Sequence, residues 1–376
     1  MHDIVLTGGR VIDPSQGLDA ITDIAFSDGK VAAIGDNLAS RGAKNRQDVS
    51  GKIVTPGLID IHAHVYWGAT YLGVEPERVA RASGTTTFVD AGTAGAGTFA
   101  GFRKLIIEPC PLRIVAFLNI SHAGIYGYGP GFMVGETAEL RLLHAGACVR
   151  VARHNADIIC GVKVRLGSNV SELVGIGALD VAIEAAEELD LPVMVHIGPP
   201  PPRRKDILER LRPGDILTHC CRMFPNAATD RGRNVRREVE EARARGIVFD
   251  VGHGRGSFDF DVARAMVDNG FLPDVLSSDV HVQSIGGPAF DVLVTMSKFL
   301  SMGVPLSDVV AAATCNPAKA ISRPELGTLK PGSPGDAVVL TLNDGKFEYR
   351  DSLNATMIGS KKLEPAGMIV AGTRWE

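Results

Sequence analysis

The sequence predicts an α/β protein in which a (β/α)8 barrel of the TIM type joins a small β-sandwich domain formed by both chain ends. Through the middle of the chain, apolar runs rich in β-branched residues alternate with helical patterns such as Val181–Leu189 and Arg236–Arg245. This alternation is typical of parallel βαβ units. Both chain ends instead contain short strand-like runs separated by turn residues, which indicates a second unit made of strands alone.

The predicted sandwich takes its first part from residues 1–54 and its second part from residues 324–376. In the first part, Asp28-Gly29 separates two apolar runs, and this dipeptide is a hairpin signal. In the second part, the strand-like run Ala337–Leu342 is split from Lys346–Tyr349 by an Asn-Asp-Gly sequence. Because both parts have the same texture, we expect the two ends of the chain to meet in one domain.

The barrel is expected over residues 55–323. Its predicted strands are short, apolar and followed by polar or glycine residues, as barrel strands are where they end at the site. They are Leu58–His64, Thr86–Ala91, Arg113–Ile120, Ile158–Leu166, Pro192–Ile197, Asp215–Cys220, Ile247–Gly252 and Val275–Val280. An open doubly wound sheet is the alternative. Against it, no glycine-rich nucleotide motif follows an early strand.

Composition excludes several classes of protein. The 376 residues include 39 basic and 43 acidic side chains, a net charge of −4, so nucleic acid is not expected as a partner. No apolar run reaches the roughly 18 residues that would span a membrane, and the amino terminus lacks the features of a signal peptide. The six cysteines show no CxxC spacing, which indicates reduced thiols. We therefore expect a cytoplasmic protein; whether it is a homo-oligomer stays open.

His62 and His64 end the first predicted barrel strand. Alternate residues of a strand share a face, so both imidazoles are expected to point the same way, and imidazole is a common zinc ligand. A His-x-His pair alone is a weak signal, because most such pairs bind nothing. Its position after an apolar strand that begins behind Pro56-Gly57 makes the signal stronger.

Four more polar residues lie in or at the ends of later strands. Lys163 belongs to a strand that should be buried, where an amine must shift its pKa, find a partner or be modified, for example to a carbamate. Its alternative is to snorkel from the strand end. His196 and His219 end consecutive strands, and Asp279 ends the eighth, where it could instead cap a helix. Because barrel strands end at one mouth, these residues together predict a site for two divalent cations.

These motifs resemble the amidohydrolase superfamily, in its binuclear branch with a carboxylated lysine. The run Pro56–His64, the later ligand residues, and the return to the β domain at Asn316–Ala320 and Gly327–Val339 all resemble that superfamily. The resemblance implies two divalent metal ions, with zinc expected. It places His62, His64 and Asp279 on one ion, His196 and His219 on the other, and carboxylated Lys163 between them. It also implies that Asp279 moves a proton from a metal-bridging hydroxide to the leaving group.

The superfamily contains several activities, so the substrate needs further signals. Dihydroorotases typically have an arginine two residues after the second histidine, where this chain has Tyr66. The passages Asn119–Tyr126, Phe249–Phe258 and Ser278–Gly287 resemble a group that includes deacetylases of acetyl-(R)-mandelate and similar 2-hydroxy acid esters, with weak action on N-acetyl-D-amino acids. The resemblance therefore implies a deacetylase or esterase. A cyclic amidase, a heterocycle deaminase and a non-catalytic scaffold are the alternatives.

A small acylated substrate with a carboxylate needs a cationic contact. Arg165 lies two residues beyond Lys163 and should share its inward face, although a structural ion pair is an equal alternative. His253 and Arg255 lie on a glycine-rich loop after the seventh strand and are further candidates. His122 and Tyr126 follow the third strand, from where they are expected to donate hydrogen bonds to the substrate carbonyl.

Overall fold

The structure is a computed structural model, which describes residues 1–129 and 131–375. The strands are β1 (His2–Asp13), β2 (Leu18–Ser27), β3 (Lys30–Gly35), β4 (Ala43–Asp48), β5 (Ile53–Pro56), β6 (Leu58–Ala63), β7 (Thr85–Gly95), β8 (Arg113–Asn119), β9 (Tyr128–Gly129), β10 (Phe132–Met133), β11 (Ile159–Leu166), β12 (Val193–Ile197), β13 (Ile216–Thr218), β14 (Val248–Asp250), β15 (Ala337–Arg350), β16 (Thr356–Val370) and β17 (Thr373–Trp375).

The α-helices follow the barrel strands and lie outside the sheet. They are α1 (Pro76–Ser83), α2 (Phe99–Phe102), α3 (Ala145–His154), α4 (Gly177–Leu189), α5 (Arg204–Arg210), α6 (Arg237–Ala244), α7 (Phe260–Asp268), α8 (Val292–Ser301), α9 (Leu306–Ala311) and α10 (Cys315–Ala320). In α4, the buried residues Ala178, Leu179, Ala182, Ala185 and Ala186 recur at helical spacing and form one apolar face. No described helix is long and apolar enough to cross a membrane.

Strands from both chain ends share one mixed sheet, in the order β17-β16-β15-β5-β1-β2-β3, with β4 also paired to β1. Strand β5 joins the two halves, because it pairs with β1 on one side and β15 on the other. Asp28 and Gly29 connect β2 to β3 with φ values of 52° and 73°, as the predicted hairpin turn requires. A two-layered sandwich and domain boundaries at 54/55 and 323/324 stay predictions.

The predicted break between two strands near the carboxyl terminus is wrong. Strand β15 runs through Asn343-Asp-Gly345 without ending, and it pairs with β16 on both sides of that sequence. The register changes between Asp344 and Phe347. An irregularity of this kind accommodates turn-type residues inside a strand, because the extra residue is left out of the ladder.

The central strands form a parallel sheet in the order β6-β7-β8-β11-β12-β13-β14, which confirms seven of the predicted barrel strands. One apolar cluster takes Ile59 from β6, Val89 from β7, Val115 from β8, Met194 from β12 and Ile216 from β13. Residues from so many strands meet only inside a curled sheet. The alternate residues of the same strands pack against the helices outside.

The eighth segment closes the barrel without forming a regular strand. Parallel bridges join Asp250 to Val275 and Ala63 to Val280, so residues 275–280 connect β14 to β6. Asp279 has φ 47°, which lies outside the strand region and interrupts regular pairing. The prediction of a strand over Val275–Val280 is therefore wrong in its backbone conformation. Its position in the barrel is as predicted.

Candidate metal centre

The structure brings the predicted ligand residues together at the carboxyl ends of the barrel strands. They are His62 and His64 at the end of β6, Lys163 in β11, His196 in β12, His219 after β13 and Asp279 in the closing segment. The Nε2 atoms of His62 and His64 lie 3.4 and 3.2 Å from Oδ1 of Asp279. These three side chains are buried, and their ligand atoms all lie within 4.8 Å of one another.

A threonine and an aspartate orient the ring of His62. The Oγ1 of Thr218 donates to Oδ2 of Asp250 at 2.6 Å, and the Nδ1 of His62 lies 2.8 Å from the same Oγ1. Because the Thr218 hydroxyl donates its proton to the carboxylate, a lone pair of the same oxygen accepts the Nδ1–H of His62. The Nε2 of His62 therefore has no proton and points a lone pair into the site.

His64 is oriented in the same way by other residues. The Oγ1 of Thr93 donates to Oδ2 of Asp90 at 2.8 Å, and the Nδ1 of His64 lies 2.7 Å from that hydroxyl. The Asp90 carboxylate also accepts the backbone N–H of Val65 at 2.9 Å and that of Thr93 at 2.7 Å. This chain of hydrogen bonds from histidine through threonine to aspartate, here called a relay, is buried, and it leaves Nε2 of His64 without a proton.

The convergence of these atoms fits a divalent cation. Burial lowers the pKa of His64 to about 3 and that of His62 well below its ordinary value, so both rings are neutral. Burial also raises the pKa of Asp279 to about 6. Two imidazole lone pairs facing a carboxylate oxygen repel one another unless a cation lies among them. Neutral imidazole and carboxylate are the ligands that zinc and similar ions take.

The second pair of histidines has a different arrangement. The Nδ1 of His219 donates to the Gly252 carbonyl at 2.6 Å, and its Nε2 lies 2.7 Å from Nδ1 of His196. A Cβ on Gly252 would lie 2.3 Å from Oγ1 of Thr218 and 2.9 Å from both His219 and His62. Only glycine therefore allows the backbone to approach both His62 and His219 this closely.

Lys163 is fully buried beside His62. Its Nζ is 3.4 Å from Nε2 of His62, and no carboxylate of the described chain lies within ion-pair distance of it. Burial lowers the pKa of this amine to about 7. Gly92 makes room for it, since a Cβ there would be 2.5 Å from Cβ of Lys163. The snorkelling alternative is therefore wrong: the amine ends inside the barrel.

Two of the predicted substrate contacts have other partners. Nη1 of Arg165 donates to Oε2 of the buried Glu136 at 3.2 Å, which is the ion-pair alternative. His253 is fully buried: its Nε2 accepts from Nζ of Lys298 at 2.6 Å, and its Nδ1 donates to the Gly254 carbonyl at 3.0 Å. The predicted contact between His253 and the substrate is therefore corrected to a structural role, since both ring nitrogens are occupied.

The remaining predicted contacts lie nearer to solvent. His122 and Tyr126 are exposed on the connection after β8, and Arg255 is exposed on the loop after β14. Arg255 lines a cavity of about 320 Å³ together with Pro288 and Phe290. A substrate role for each of these three residues stays a prediction.

Several residues of the site were missed from the sequence. Asp60 accepts the backbone N–H of Ser278 at 3.0 Å and also the Ser278 hydroxyl, which fixes the backbone before Asp279. The aspartates and threonines that orient His62 and His64 also lie in or near barrel strands, as the ligands do. That position was a usable signal, but the sequence does not show which histidine each one contacts. His281 is buried with its ring centroid 6.1 Å from that of His64.

The fold and the site define a class: barrel enzymes that gather metal-ligating side chains at the carboxyl ends of parallel strands. The chain belongs to the amidohydrolase family, whose model matches residues 53–212 and 232–374. It is therefore a hydrolase of a family that generally uses divalent metals, and it has a group of two histidines and an aspartate suited to such an ion.

Curated relatives and solved structures match nearly the whole chain. A deacetylase of Agrobacterium fabrum is 35% identical over 370 residues, which cover 98% of this chain and 90% of the relative. A deacetylase of Brucella anthropi is 34% identical over 94% of this chain and 87% of the relative. A crystal structure described as a dihydroorotase has TM-score 0.90, 32% identity and full coverage of both chains. One described as an adenine deaminase has TM-score 0.93 and 27% identity, also with full coverage of both chains.

Proposed function

We propose that this hydrolase is a deacetylase that cleaves acetyl esters of small 2-hydroxy acids such as acetyl-(R)-mandelate, with weaker action on N-acetyl-D-amino acids. The observation that carries the proposal is the convergence of the bare Nε2 atoms of His62 and His64 on Asp279, beside the buried amine of Lys163. Two relatives at 34% and 35% identity named deacetylases support the acetyl group. The 2-hydroxy acid is proposed from the loop sequences.

In this proposal two divalent ions, with zinc expected, occupy the site. His62, His64 and Asp279 would hold one ion, and His196 and His219 would hold the other. Bound there, the ions supply Lewis-acid chemistry, because they polarise a carbonyl and lower the pKa of water. The hydrogen bonds from Asp90 through Thr93 and from Asp250 through Thr218 would keep the Nε2 atoms of the two histidines pointed at the first ion.

Lys163 would join the two sets of ligands as a carbamate. Its neutral Nζ forms a bond to the carbon of carbon dioxide and releases one proton, which leaves an anion with two oxygens. The buried amine has no carboxylate partner in the described chain, and the negative charge of the carbamate would offset part of the positive charge of two ions held mainly by neutral imidazoles. Its two oxygens would each offer a ligand atom, one for each ion.

Asp279 would move the proton of the reaction. Its carboxylate accepts a proton from the attacking water and delivers it to the oxygen of the departing hydroxy acid, or to nitrogen in an amide. The carboxylate is placed for this by the bonds from Ser278 to Asp60 and by its own left-handed backbone at φ 47°. A non-glycine residue in that conformation is typical of functional sites, where surrounding contacts maintain it.

The dihydroorotase alternative lacks a cation at the expected place. Tyr66 takes the position two residues after His64, and its ring stacks on Phe102 with centroids 4.6 Å apart. Its hydroxyl donates to the Thr98 carbonyl at 3.3 Å. This side chain therefore packs into the barrel wall and offers no charge to a substrate carboxylate.

A hydrolysis screen tests the proposed function. The purified protein, supplied with zinc and bicarbonate, is assayed on acetylated 2-hydroxy acids, N-acetyl-D- and L-amino acids, dihydroorotate and hydantoins. We expect acetate release from the first class at the highest kcat/KM, and two metal ions per chain by elemental analysis. Ring opening of dihydroorotate as the best reaction, or ammonia release from adenine, would reassign the activity. Near-zero metal with no turnover would identify a scaffold.

A further inference from the structure

We propose that Arg222 binds the carboxylate of the substrate, a role that neither the sequence patterns nor the names of the relatives assign. The identity of the substrate rests on the proposed function, whereas the anion site itself does not. The residues that the sequence favoured for this contact are Arg165 and Arg255. In the structure the first is paired with Glu136 and the second is exposed on a loop.

Arg222 is a buried cation without an anion. Its side chain belongs to a residue that is only 6% exposed, and Nη1 donates to the Ile197 carbonyl. The Nε atom is buried and has no partner among the described residues. The bond from Nη1 is the one side-chain hydrogen bond that Arg222 makes to the described chain. No carboxylate of the described chain lies within ion-pair distance of this guanidinium. Buried charges are normally paired because desolvation is costly, so a partner is missing from the protein itself.

Arg204 is a buried arginine for which the chain itself supplies a carboxylate partner. It is 8% exposed, and its Nη2 donates to Oε1 of Glu238 at 2.6 Å. The Arg165 guanidinium likewise has its acid, Glu136. The chain thus supplies a carboxylate to both of these arginines and supplies none to Arg222. This difference is what an arginine reserved for an anionic ligand should show.

The unpaired side of Arg222 is the side that binds carboxylates. With Nη1 on the Ile197 carbonyl, Nε and Nη2 remain, and these two form one edge of the planar guanidinium. Arg212 uses the same edge in this protein: its Nε and Nη2 donate to Asp215 at 3.1 and 2.9 Å. The Nε atom of the Arg222 edge is buried, which strengthens a contact made there.

The position of Arg222 suits a carboxylate next to the scissile bond. Its backbone N–H donates to the His219 carbonyl at 3.1 Å, and its side chain reaches the carbonyl of Ile197, the residue after His196. In an acetylated 2-hydroxy acid, one carbon separates the carboxylate from the ester oxygen. A cation beside two proposed ligands is therefore at the right place.

The test compares an anionic substrate with a neutral one of the same shape. O-acetylmandelate and O-acetylmandelamide are assayed with the wild-type holoenzyme and with Arg222→Met, and the ratio of their kcat/KM values is the readout. We expect the variant to lose about 10- to 100-fold on the anion, as loss of a charged hydrogen bond does, and less than about threefold on the amide. An unchanged ratio in a folded Arg222→Met variant would overturn the proposal.

Two further variants separate this role from others. Arg204→Met removes a buried arginine that already has its acid, so the ratio should stay as in the wild type. Arg165→Met should change the ratio less than Arg222→Met does, and a collapse confined to Arg165→Met would overturn the proposal. If Arg222→Met does not fold, Arg222→Lys replaces the planar edge with a point charge, and a fall in the ratio is expected. A wild-type ratio in that variant would contradict the role.

A binding measurement works even if neither ester is a substrate. Mandelate in large excess should raise the melting temperature of the wild type, because a ligand that binds only the folded state stabilises it. This shift should be absent in Arg222→Met, whose own melting temperature should equal or exceed that of the wild type, since an unpaired buried charge has been removed. A large loss of stability together with an unchanged mandelate shift would mark Arg222 as purely structural.

Discussion

The two halves of the candidate metal centre differ in how their ligand atoms are satisfied without an ion. At the end of β6, relays through Thr218 and Thr93 take up the Nδ1–H groups, so lone pairs and the Asp279 carboxylate face one another at 3.2 and 3.4 Å. Between β12 and β13, His219 and His196 instead face each other at 2.7 Å and share a proton in a hydrogen bond. In the first half only a cation would relieve the repulsion between the lone pairs and the carboxylate. In the second half the hydrogen bond between the two histidines satisfies both nitrogens without an ion.

The difference teaches that burial alone does not prepare a metal site. All four histidines have pKa values lowered by burial, so all four are neutral. Only the two at the end of β6 are joined through threonines to buried aspartates, whose negative charge fixes the ring and raises the basicity of the ligand nitrogen. We expect the β6 half to bind its ion more tightly than the other half does.

The largest expected effect comes from the residue that links the two halves. Lys163→Ala removes the proposed bridge, so activity should be lost and the affinity for both ions should fall, less at the β6 half than at the other half. Short carboxylic acids should partly restore activity, because they supply the missing bridging oxygens. Metal content and acetate release measure the two effects. Full activity without any added acid would show that Lys163 is no bridge.

Asp279→Asn should have the next largest effect. An amide is a poor proton acceptor, so we expect kcat to fall by about 10²- to 10⁴-fold, the usual contribution of a general acid–base. The circular dichroism spectrum should be unchanged, because the Ser278–Asp60 contact that orders this segment does not involve the Asp279 side chain. Turnover near that of the wild type would assign proton transfer to another group.

Removing the threonine hydroxyls that orient His62 and His64 should have a smaller effect, and the effect should be on metal affinity. Thr93→Val and Thr218→Val keep the shape of the side chain but remove the hydroxyl that accepts from the histidine. We expect metal affinity to weaken by about 10- to 100-fold in each variant. Thr314→Val is the matched control, since the hydroxyl of that buried threonine, which lies in the turn between α9 and α10, donates to the Val310 carbonyl and bonds no histidine. An equal loss in the control would mean that affinity merely follows stability.

The smallest expected effect concerns the order in which the ions leave. A chelator titration of the holoenzyme should release metal in two steps, with the ion of the His196–His219 half leaving first because those rings can bond each other instead. His196→Ala should remove the first step and leave the second. Release of both ions in one step, in the wild type and under slow titration, would contradict the difference between the halves.

Much of the fold was accessible from the sequence because barrel strands are local patterns. Short β-branched runs marked β6 to β8 and β11 to β14, and Asp28-Gly29 marked its hairpin by the positive φ values that this dipeptide tolerates. The eighth segment escaped this reasoning. Its apolar residues resemble a strand, but Ser277 and Ser278 bond Asp250 and Asp60, and Asp279 turns the backbone left-handed. Those bonds come from residues far away in the chain.

The sequence by itself determined which side chains end the barrel strands, and with them the proposed ligand set, because side-chain type and strand position are properties of short segments. Only the tertiary structure decided the partners. It paired Arg165 with Glu136 and His253 with Lys298, and it left Arg222 without an acid. The physical reason is that the role of a charged group or a ring nitrogen depends on which donor or acceptor lies within hydrogen-bond distance, about 3 Å. In a barrel, those neighbours come from strands and loops that are distant in sequence.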